Sequence, residues 1–448
     1  MTDSTDENGK SGMTARDIFN GAFRQPSPQP VIDLGRQPAQ ASKFTITGVS
    51  RIRPGFLNTL LQPTFAATTV KQLADEAREA AGKLQALGIA KQVRVELDEG
   101  DGIDVHFRCE DGSRFAVRTG VDVGGDEGTA NVVGRLNNIW GGGESFEANY
   151  ARGTKTAAAF RGVLAVPLAA DPQHRFEVSA SQSTTDQRPY TSHDEVRRSL
   201  GALIRKQAGP VQHEVAYALA WREVAGLGHA ASPSLRALAG HSVKSGITYT
   251  CTYDDRDSLT VPTQGALIKS VAEIAGLGGS VQLAKAQVDL QTNRPLAPGY
   301  VLSVGAQAGA LWALAGQRVP LADRFFVGGA HSVRGFEYRG IGPRDKADSL
   351  GGDVFYAAGL SLLTPLPRIE ALRGHLWANA GQCALLLNTP KANEFMRFLS
   401  SPSASIGFGL VYRHSMVRAE LSWCIPIAAT TSDKLKPGLQ FGLGFQFL

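Results

Sequence analysis

The strongest constraint on this chain is a long series of segments in which apolar and polar residues alternate. From residue 112 onward these segments are about 10 residues long and are separated by Gly, Pro, Asp and Asn. In one of them Ile406, Phe408 and Leu410 share a face, opposite Gly407 and Gly409. A period of two residues is that of a β-strand, so the region is predicted to be almost entirely β-sheet.

The two faces of these segments differ in charge. The alternation is clearest in the segments 115–122, 300–308, 404–413, 416–425 and 438–448. One face carries charges or glycines and the other carries no charge. A soluble sandwich or barrel with one wet face is the alternative, but an uncharged face favours a membrane-embedded barrel. At about 21 residues per strand and connection, residues 112–448 predict sixteen transmembrane strands, an even number typical of bacterial-type barrels.

Composition agrees with this architecture and disfavours others. No stretch approaches eighteen consecutive apolar residues, so a transmembrane helix is not predicted. The net charge of +5 comes from scattered basic residues, so no nucleic-acid partner is predicted. The four cysteines lie far apart without a CxxC pair, which predicts neither disulfides nor a zinc site.

Residues 1–42 are predicted to form a disordered tail. They are polar, and Pro26, Pro28 and Pro30 lie close together. The segment lacks the charged n-region and apolar h-region of a secretory signal. A bacterial outer-membrane protein would carry such a signal, so the sequence favours an organelle that is reached from the cytosol.

Residues 43–111 are predicted to form a small α+β domain in front of the barrel. Strands and helices are predicted at 44–49, 53–61, 70–87, 92–97 and 103–109. Thr69 with Gln72 matches a capping box, and Gly88 lies where a glycine commonly ends a helix. The order β-α-α-β-β then precedes the barrel.

One run identifies a resemblance to a known family. Within residues 323–344, Val333, Arg334, Gly335 and Phe336 follow one another. The run resembles the inward-folded loop of the BamA-type superfamily of outer-membrane assembly factors, whose hallmark is Val-Arg-Gly-Phe or Val-Arg-Gly-Tyr. The resemblance covers about residues 44–448.

Further stretches refine this resemblance. Residues 253–257 and 262–265 are similar to the superfamily as a whole, whereas 340–344 and 407–414 resemble its mitochondrial branch. That branch comprises the central subunits of the sorting and assembly machinery. The resemblance implies a single polypeptide-transport-associated (POTRA) domain at residues 43–111, and one such domain without a signal peptide favours the mitochondrial branch.

The resemblance also implies a function and partners. Such a protein would fold and insert β-barrel precursors into the mitochondrial outer membrane, without a nucleotide or other cofactor. It would work with metaxin-like subunits on the cytosolic face, and its front domain would lie in the intermembrane space.

Arg334 needs a partner if its loop folds into the barrel lumen. A guanidinium offers five fixed donors and does not lose its charge, so Arg334 is expected to anchor the loop to the wall. In the family the partner is usually an aspartate in the strand just after the loop. The matching position here is Asn379, which strand parity places on the lumen face with Trp377. Asn379 can accept one bond but carries no charge, and Asp353 is a possible substitute.

The seam between the first and last barrel strands is predicted to be a lateral gate. The first strand is expected at about 113–124 and the last at about 437–448. Glycines pack little and weaken strands, so an incoming strand could pair with an opened edge by β-augmentation. The proposed gate residues are Gly120, Asp122, Gly124, Gly438, Gly442 and Gly444.

The last segment also contains the C-terminal signal that the family's precursors carry. Its positions are a polar residue, a glycine and two apolar residues: Gln440, Gly442, Phe445 and Phe447. A generic closing strand would look almost the same, so this motif indicates a barrel more than an insertase.

No motif for catalysis was found, and the chain is not predicted to be an enzyme. The sequence contains no HExxH, no Gly-x-Ser-x-Gly and no phosphate loop. The lumen-facing carboxylates Asp122, Asp289 and Glu420 are expected to line a wet cavity. Two alternatives stay open: a protein-translocating channel of the same superfamily, in plastid import or secretion, and a passive porin.

Overall fold

The computed structural model describes residues 37–38, 41–99, 102–124, 127–316, 318–367, 369, 371–386, 392–413 and 418–444. Almost all of the predicted disordered tail falls outside these residues. Phe445 and Phe447 of the predicted C-terminal signal also lie outside them, as does the side chain of Asp122.

The front domain contains five elements. They are β1 (Ala41–Thr47), α1 (Pro54–Phe65), α2 (Val70–Ala86), β2 (Ala90–Glu99) and β3 (Ile103–Asp111). The sheet order is β1-β3-β2, with β1 parallel and β2 antiparallel to β3. The predicted order of elements is confirmed.

The helix α2 forms for the reasons that its sequence indicates. The Thr69 hydroxyl accepts a hydrogen bond from the Gln72 N–H at 3.2 Å, which satisfies one of the free donors of the first turn. After the helix Gly88 adopts a φ of +70°, which costs glycine little. The apolar face is buried, with Leu73 and Leu84 both 0% exposed.

The rest of the chain forms a barrel sheet with two small additions. The first eleven barrel strands are β4 (Phe115–Gly124), β5 (Glu127–Asn137), β6 (Ser145–Gly153), β7 (Thr156–Leu168), β8 (Asp171–Asp186), β9 (Asp194–Ala208), β10 (Val211–Ala225), β11 (Gly240–Asp254), β12 (Gly265–Gly279), β13 (Leu283–Ala297) and β14 (Tyr300–Ala313). The last five are β17 (Val354–Pro365), β18 (Leu372–Ala384), β19 (Ser403–Arg413), β20 (Arg418–Ala428) and β21 (Gly438–Gly444). The additions are the hairpin β15 (Arg344–Asp345) and β16 (Asp348–Ser349), with the short helices α3 (Pro233–Leu238) and α4 (Ala392–Ser400).

The prediction of sixteen strands is confirmed. All sixteen belong to one sheet in which consecutive barrel strands are neighbours and pair antiparallel, from β4 at one end to β21 at the other. We call the end of the barrel next to the front domain the front-domain end, and the opposite end the loop end.

The outer surface of the barrel is apolar, as a transmembrane barrel requires. On β19 the outward Ile406 and Phe408 are 41% and 55% exposed, whereas the inward Ser405 is 0% exposed. Among the described residues, no helix combines the length and the apolar character needed to span a bilayer.

The β5–β6 turn holds the front domain against the barrel. Glu144 in this turn is 1% exposed and forms an ion pair with Arg53, the residue before α1. Its carboxylate also accepts a hydrogen bond from the Gly142 N–H at 3.0 Å. Asn138 donates to the Arg51 carbonyl at 2.8 Å. The front domain is therefore fixed beside the first strands of the sheet.

Candidate functional site

Residues 314–316 and 318–353 belong to a long loop that lies against the inner wall of the barrel. We call this segment, between β14 and β17, the inward loop. Its side chains Val333, Phe336 and Ile341 are at most 1% exposed. They form one cluster with wall residues that include Leu311 and Ala357. Burial of these side chains holds the loop in place, because each removes a large apolar surface from water.

Arg334 lies at the centre of the loop's contact with the wall. Its Nη2 and Nε donate to Glu420 Oε2 at 2.8 and 3.2 Å, and its Nη1 donates to Asn379 Oδ1 at 2.9 Å. The guanidinium also lies over the Trp377 ring, 5.2 Å from its centroid. Arg334 and Glu420 are 1% and 2% exposed, so this ion pair is removed from water.

Each of the last four strands contributes a side chain that hydrogen-bonds to the Val-Arg-Gly-Phe segment. These side chains are Asn379 of β18, Ser405 of β19, Glu420 of β20 and Gln440 of β21. The Ser405 hydroxyl donates to the Arg334 carbonyl. The Gln440 amide accepts from the Gly335 N–H and donates to the Phe336 carbonyl, both at 3.0 Å.

The structure differs from the sequence-based expectation at Glu420. This carboxylate was expected to line a wet cavity, but it is buried and pairs with Arg334 and Arg418. The carboxylate of Asp353 accepts a hydrogen bond from the Leu386 N–H at 2.7 Å. Strand parity indicated that Glu420 faces the lumen. Parity could not show that Glu420 lies level with Arg334 along the barrel axis.

Asn379 offers a test of charge in this cluster. Arg334, Arg418 and Glu420 carry two positive charges and one negative charge. Asn379→Asp places a second carboxylate beside Arg334, and we expect a higher urea midpoint for unfolding. Asn379→Leu, similar in size, removes an acceptor from a guanidinium and should cost about 1.5–3 kcal/mol.

Unfolding of these variants in detergent can be followed by gel migration of unheated samples. A midpoint for Asn379→Asp as low as that of Asn379→Leu would contradict the prediction. It would show that the desolvation of another carboxylate exceeds its attraction to Arg334.

The two ends of the sheet meet at the predicted gate. Gly120, Asp122 and Gly124 lie on β4, and Gly438, Gly442 and Gly444 lie on β21. The strands β4 and β21 have Cα atoms within 8 Å of each other. Over the residues that the structure describes, however, no ladder of backbone hydrogen bonds joins the two strands.

A cavity of about 300 Å³ lies at this seam, toward the loop end. Its walls include Glu127 and Thr154 on the side of the first strands, and Gln440 and Leu443 on the side of the last. His331 of the inward loop contacts the Leu443 carbonyl through its Nε2 at 2.9 Å. The inward loop thus lines the seam as well as bracing the last strands.

The start of the inward loop is fixed to the middle of the sheet. Asp323 is 3% exposed and accepts hydrogen bonds from Arg222 on β10 and Lys244 on β11, at 2.9 and 2.7 Å. Lys285 on β13 donates to the Asp323 carbonyl at 3.0 Å. The loop is therefore held at two separate parts of the wall, which sequence motifs did not indicate.

The hairpin β15–β16 is tied to other connections at the loop end of the barrel. Asp348 accepts hydrogen bonds from the backbone N–H groups of Ser192 and Ser232, at 2.8 and 2.7 Å. Burial raises the pKa of the Asp348 carboxyl, but these hydrogen bonds outweigh burial and hold the pKa below its ordinary value. Asp348 is therefore ionised at neutral pH and ties the hairpin to the connections after β8 and β10.

The chain is similar to a known protein family and to curated proteins over most of its length. A family model described as the Omp85 superfamily domain matches residues 138–447. A SAM50-like protein of Schizosaccharomyces pombe is 34% identical over 440 residues, which cover 92% of this chain and 91% of the relative. The sorting and assembly machinery component 50 homolog of Homo sapiens is 32% identical over 418 residues, which cover 90% of this chain and 89% of the relative.

A solved structure shares the fold. BamA from Haemophilus ducreyi lacking POTRA domains 1–3 matches with a TM-score of 0.75 at 15% identity, over 91% of this chain and 85% of that chain. The predicted architecture, a sixteen-stranded transmembrane barrel behind one small α+β domain, is confirmed.

Proposed function

The chain belongs to the Omp85 superfamily, and from this premise we propose that it inserts β-barrel precursors into the mitochondrial outer membrane. Insertion proceeds through a lateral gate between β4 and β21. The precursor's terminal strand pairs with the opened edge of β4, and further strands follow until the new barrel separates.

The seam is the observation that carries this proposal. In lipid an unpaired backbone N–H or C=O costs several kcal/mol. The described parts of β4 and β21 lie side by side, but no ladder of backbone hydrogen bonds joins them. Their edges can therefore accept a strand of another chain. Strand addition supplies the missing hydrogen bonds without any nucleotide.

The inward loop makes the two sides of the seam unequal. The Val-Arg-Gly-Phe segment contacts β18, β19, β20 and β21, so the last strands are braced as a unit. We infer that these braced strands form the fixed side of the seam, and that β4 is the side that moves and receives the precursor strand.

The names of the relatives support the mitochondrial setting. Both curated relatives are named for the sorting and assembly machinery or its SAM50 component. We extend the proposal to metaxin-like partner subunits on the cytosolic side, as the sequence resemblance implies. The front domain then lies in the intermembrane space, beside the first strands, where a precursor would arrive.

Replacement of this protein in mitochondria tests the proposed function. Import of a radiolabelled porin precursor is measured on native gels after depletion of the chain and after its return. Depletion should reduce assembled porin about tenfold, and the returned chain should restore it, because unassisted insertion of long-range β-sheet is slow. Normal porin assembly after depletion would reject the insertase. Large open-pore conductance of the purified chain would then favour a passive porin.

A further inference from the structure

An arginine lies on the lipid-facing surface of the barrel wall. Arg198 is on the outward face of β9, which it shares with Leu200 and Ile204, 60% and 52% exposed. Its register partner on β10 is Trp221, and its guanidinium lies 4.9 Å from the centroid of that ring. Arg198 forms no ion pair with any carboxylate in the described part of the chain.

Arg198 marks one edge of the apolar band. On the same face of β9, Lys206 is the next outward charge toward the front-domain end, and Leu200, Ala202 and Ile204 lie between them. Eight residues at about 3.3 Å each, on a strand tilted by about 40°, span about 20 Å of membrane depth. Such a span is close to the height of the hydrocarbon band, so Arg198 lies at its rim on the loop-end side.

A groove begins beside Arg198 and extends over the outer wall. Its floor is a row of small side chains, because Ala148, Gly162 and Ala180 are register partners on β6, β7 and β8. Phe160 and Leu200 form its sides, and its volume is about 570 Å³. This volume lies within the range of small-molecule sites.

Among the side chains that face outward into this groove, the polar ones lie at one end. Gln182 of β8 is the register partner of Arg198 and is also exposed. The two side chains therefore offer amide and guanidinium donors side by side at the rim of the apolar band. The small-residue row lies one step deeper, at the level of Leu200. A polar end at the rim and an apolar floor toward the membrane centre match a molecule with a charged head and an apolar chain.

We propose that this groove binds one phospholipid with an anionic headgroup. Arg198 binds the headgroup phosphate by charge-assisted hydrogen bonds while Trp221 orients its guanidinium, and Gln182 donates a further bond. One acyl chain lies along Ala148, Gly162 and Ala180. The lipid is favoured over a protein occupant because the groove is continuous with the apolar surface that already faces the bilayer, and the outward-facing guanidinium of Arg198 complements an anion. The inference does not depend on the gate.

Native mass spectrometry of the purified full-length chain tests this site. Delipidated protein receives phosphatidylserine or phosphatidylcholine with identical acyl chains, and retained lipid is counted. We expect wild-type protein to retain phosphatidylserine about fivefold more, and Arg198→Gln to abolish this preference, since about 1 kcal/mol per basic residue is typical at anionic membranes. Lys206→Gln is the matched control, because it removes the same charge from the same face of β9 outside the groove.

A second variant tests the apolar floor of the groove independently of the charge of Arg198. Ala180→Leu fills the floor and should reduce retention of both lipids about threefold, because the acyl chain loses its apolar contacts. Gel migration of unheated samples establishes that each variant is folded. Equal retention by wild type and Arg198→Gln, or equal loss in Lys206→Gln, would overturn the proposal. So would a discrete protein adduct formed in mitochondria by a photoreactive residue at position 180.

Discussion

A disulfide across the seam is expected to reduce porin assembly about tenfold or more, because insertion by strand addition requires a free β4 edge. Cysteines are introduced at positions 119–121 of β4 and 441–443 of β21, pair by pair. If the neighbouring end strands run antiparallel, as elsewhere in the sheet, Gly120 and Gly442 are suitable first choices. A disulfide forms when the two Cα atoms lie within about 7 Å, so a crosslinked pair also reports the register.

Reduction of the disulfide should restore assembly in the same mitochondria. The control joins two strands away from the seam: Ala216→Cys with Thr248→Cys, register partners on β10 and β11. This control carries the same number of new cysteines and receives the same oxidant. It should leave assembly unchanged. Cys109 and Cys251, which are partly exposed, are replaced by Ser in all samples.

Continued assembly with a fully crosslinked seam would exclude insertion through β4 and β21. The translocating channel and the porin would then explain the barrel better. Inhibition by the control disulfide as well would show instead that overall barrel flexibility, rather than one gate, limits assembly.

Removal of the Glu420 charge should have the largest effect on stability. Glu420→Gln removes the carboxylate that pairs with the buried Arg334, and loss of one member of a buried ion pair costs about 3–5 kcal/mol. The change should appear as a lower urea midpoint for unfolding in detergent. It should also expose the inward loop to protease, because two hydrogen bonds from the guanidinium end on Glu420.

Two further variants distinguish an ion pair from simple packing. Asp289→Asn removes another lumen-facing carboxylate, whose side-chain partner is the neutral Gln287, and should change stability by less than about 1 kcal/mol. The double variant Arg334→Met with Glu420→Leu removes both members of this pair but also takes the Glu420 carboxylate from Arg418, so it should recover part of the loss. A Glu420→Gln variant as stable as Asp289→Asn would show that the pair does not hold the loop.

Much of the architecture could be predicted from local sequence pattern. Alternation of period two specified strands, and the absence of charge on one face indicated which side meets lipid. Thr69 and Gly88 marked the ends of a helix because capping depends on a few adjacent residues. The Val-Arg-Gly-Phe segment was recognisable because its residues are consecutive.

The contacts that hold the candidate site together could not be predicted in this way. Parity placed Asn379 and Glu420 on the lumen face, but the height of one strand relative to another depends on the register of the whole sheet. Parity alone therefore indicates a wet Glu420, and no local motif marks Asp323 as a contact to the wall.

The groove at Arg198 could not be predicted from sequence pattern either, because it also depends on the register of the sheet. Ala148, Gly162 and Ala180 are unremarkable in sequence and become one row only through the pairing of β6, β7 and β8. By itself, then, the sequence determined the strands, their two faces and the Val-Arg-Gly-Phe segment of the loop, since each depends on neighbours along the chain. The tertiary structure alone decided which side chains meet across strands, because closure of the sheet sets the register that brings distant residues to the same height.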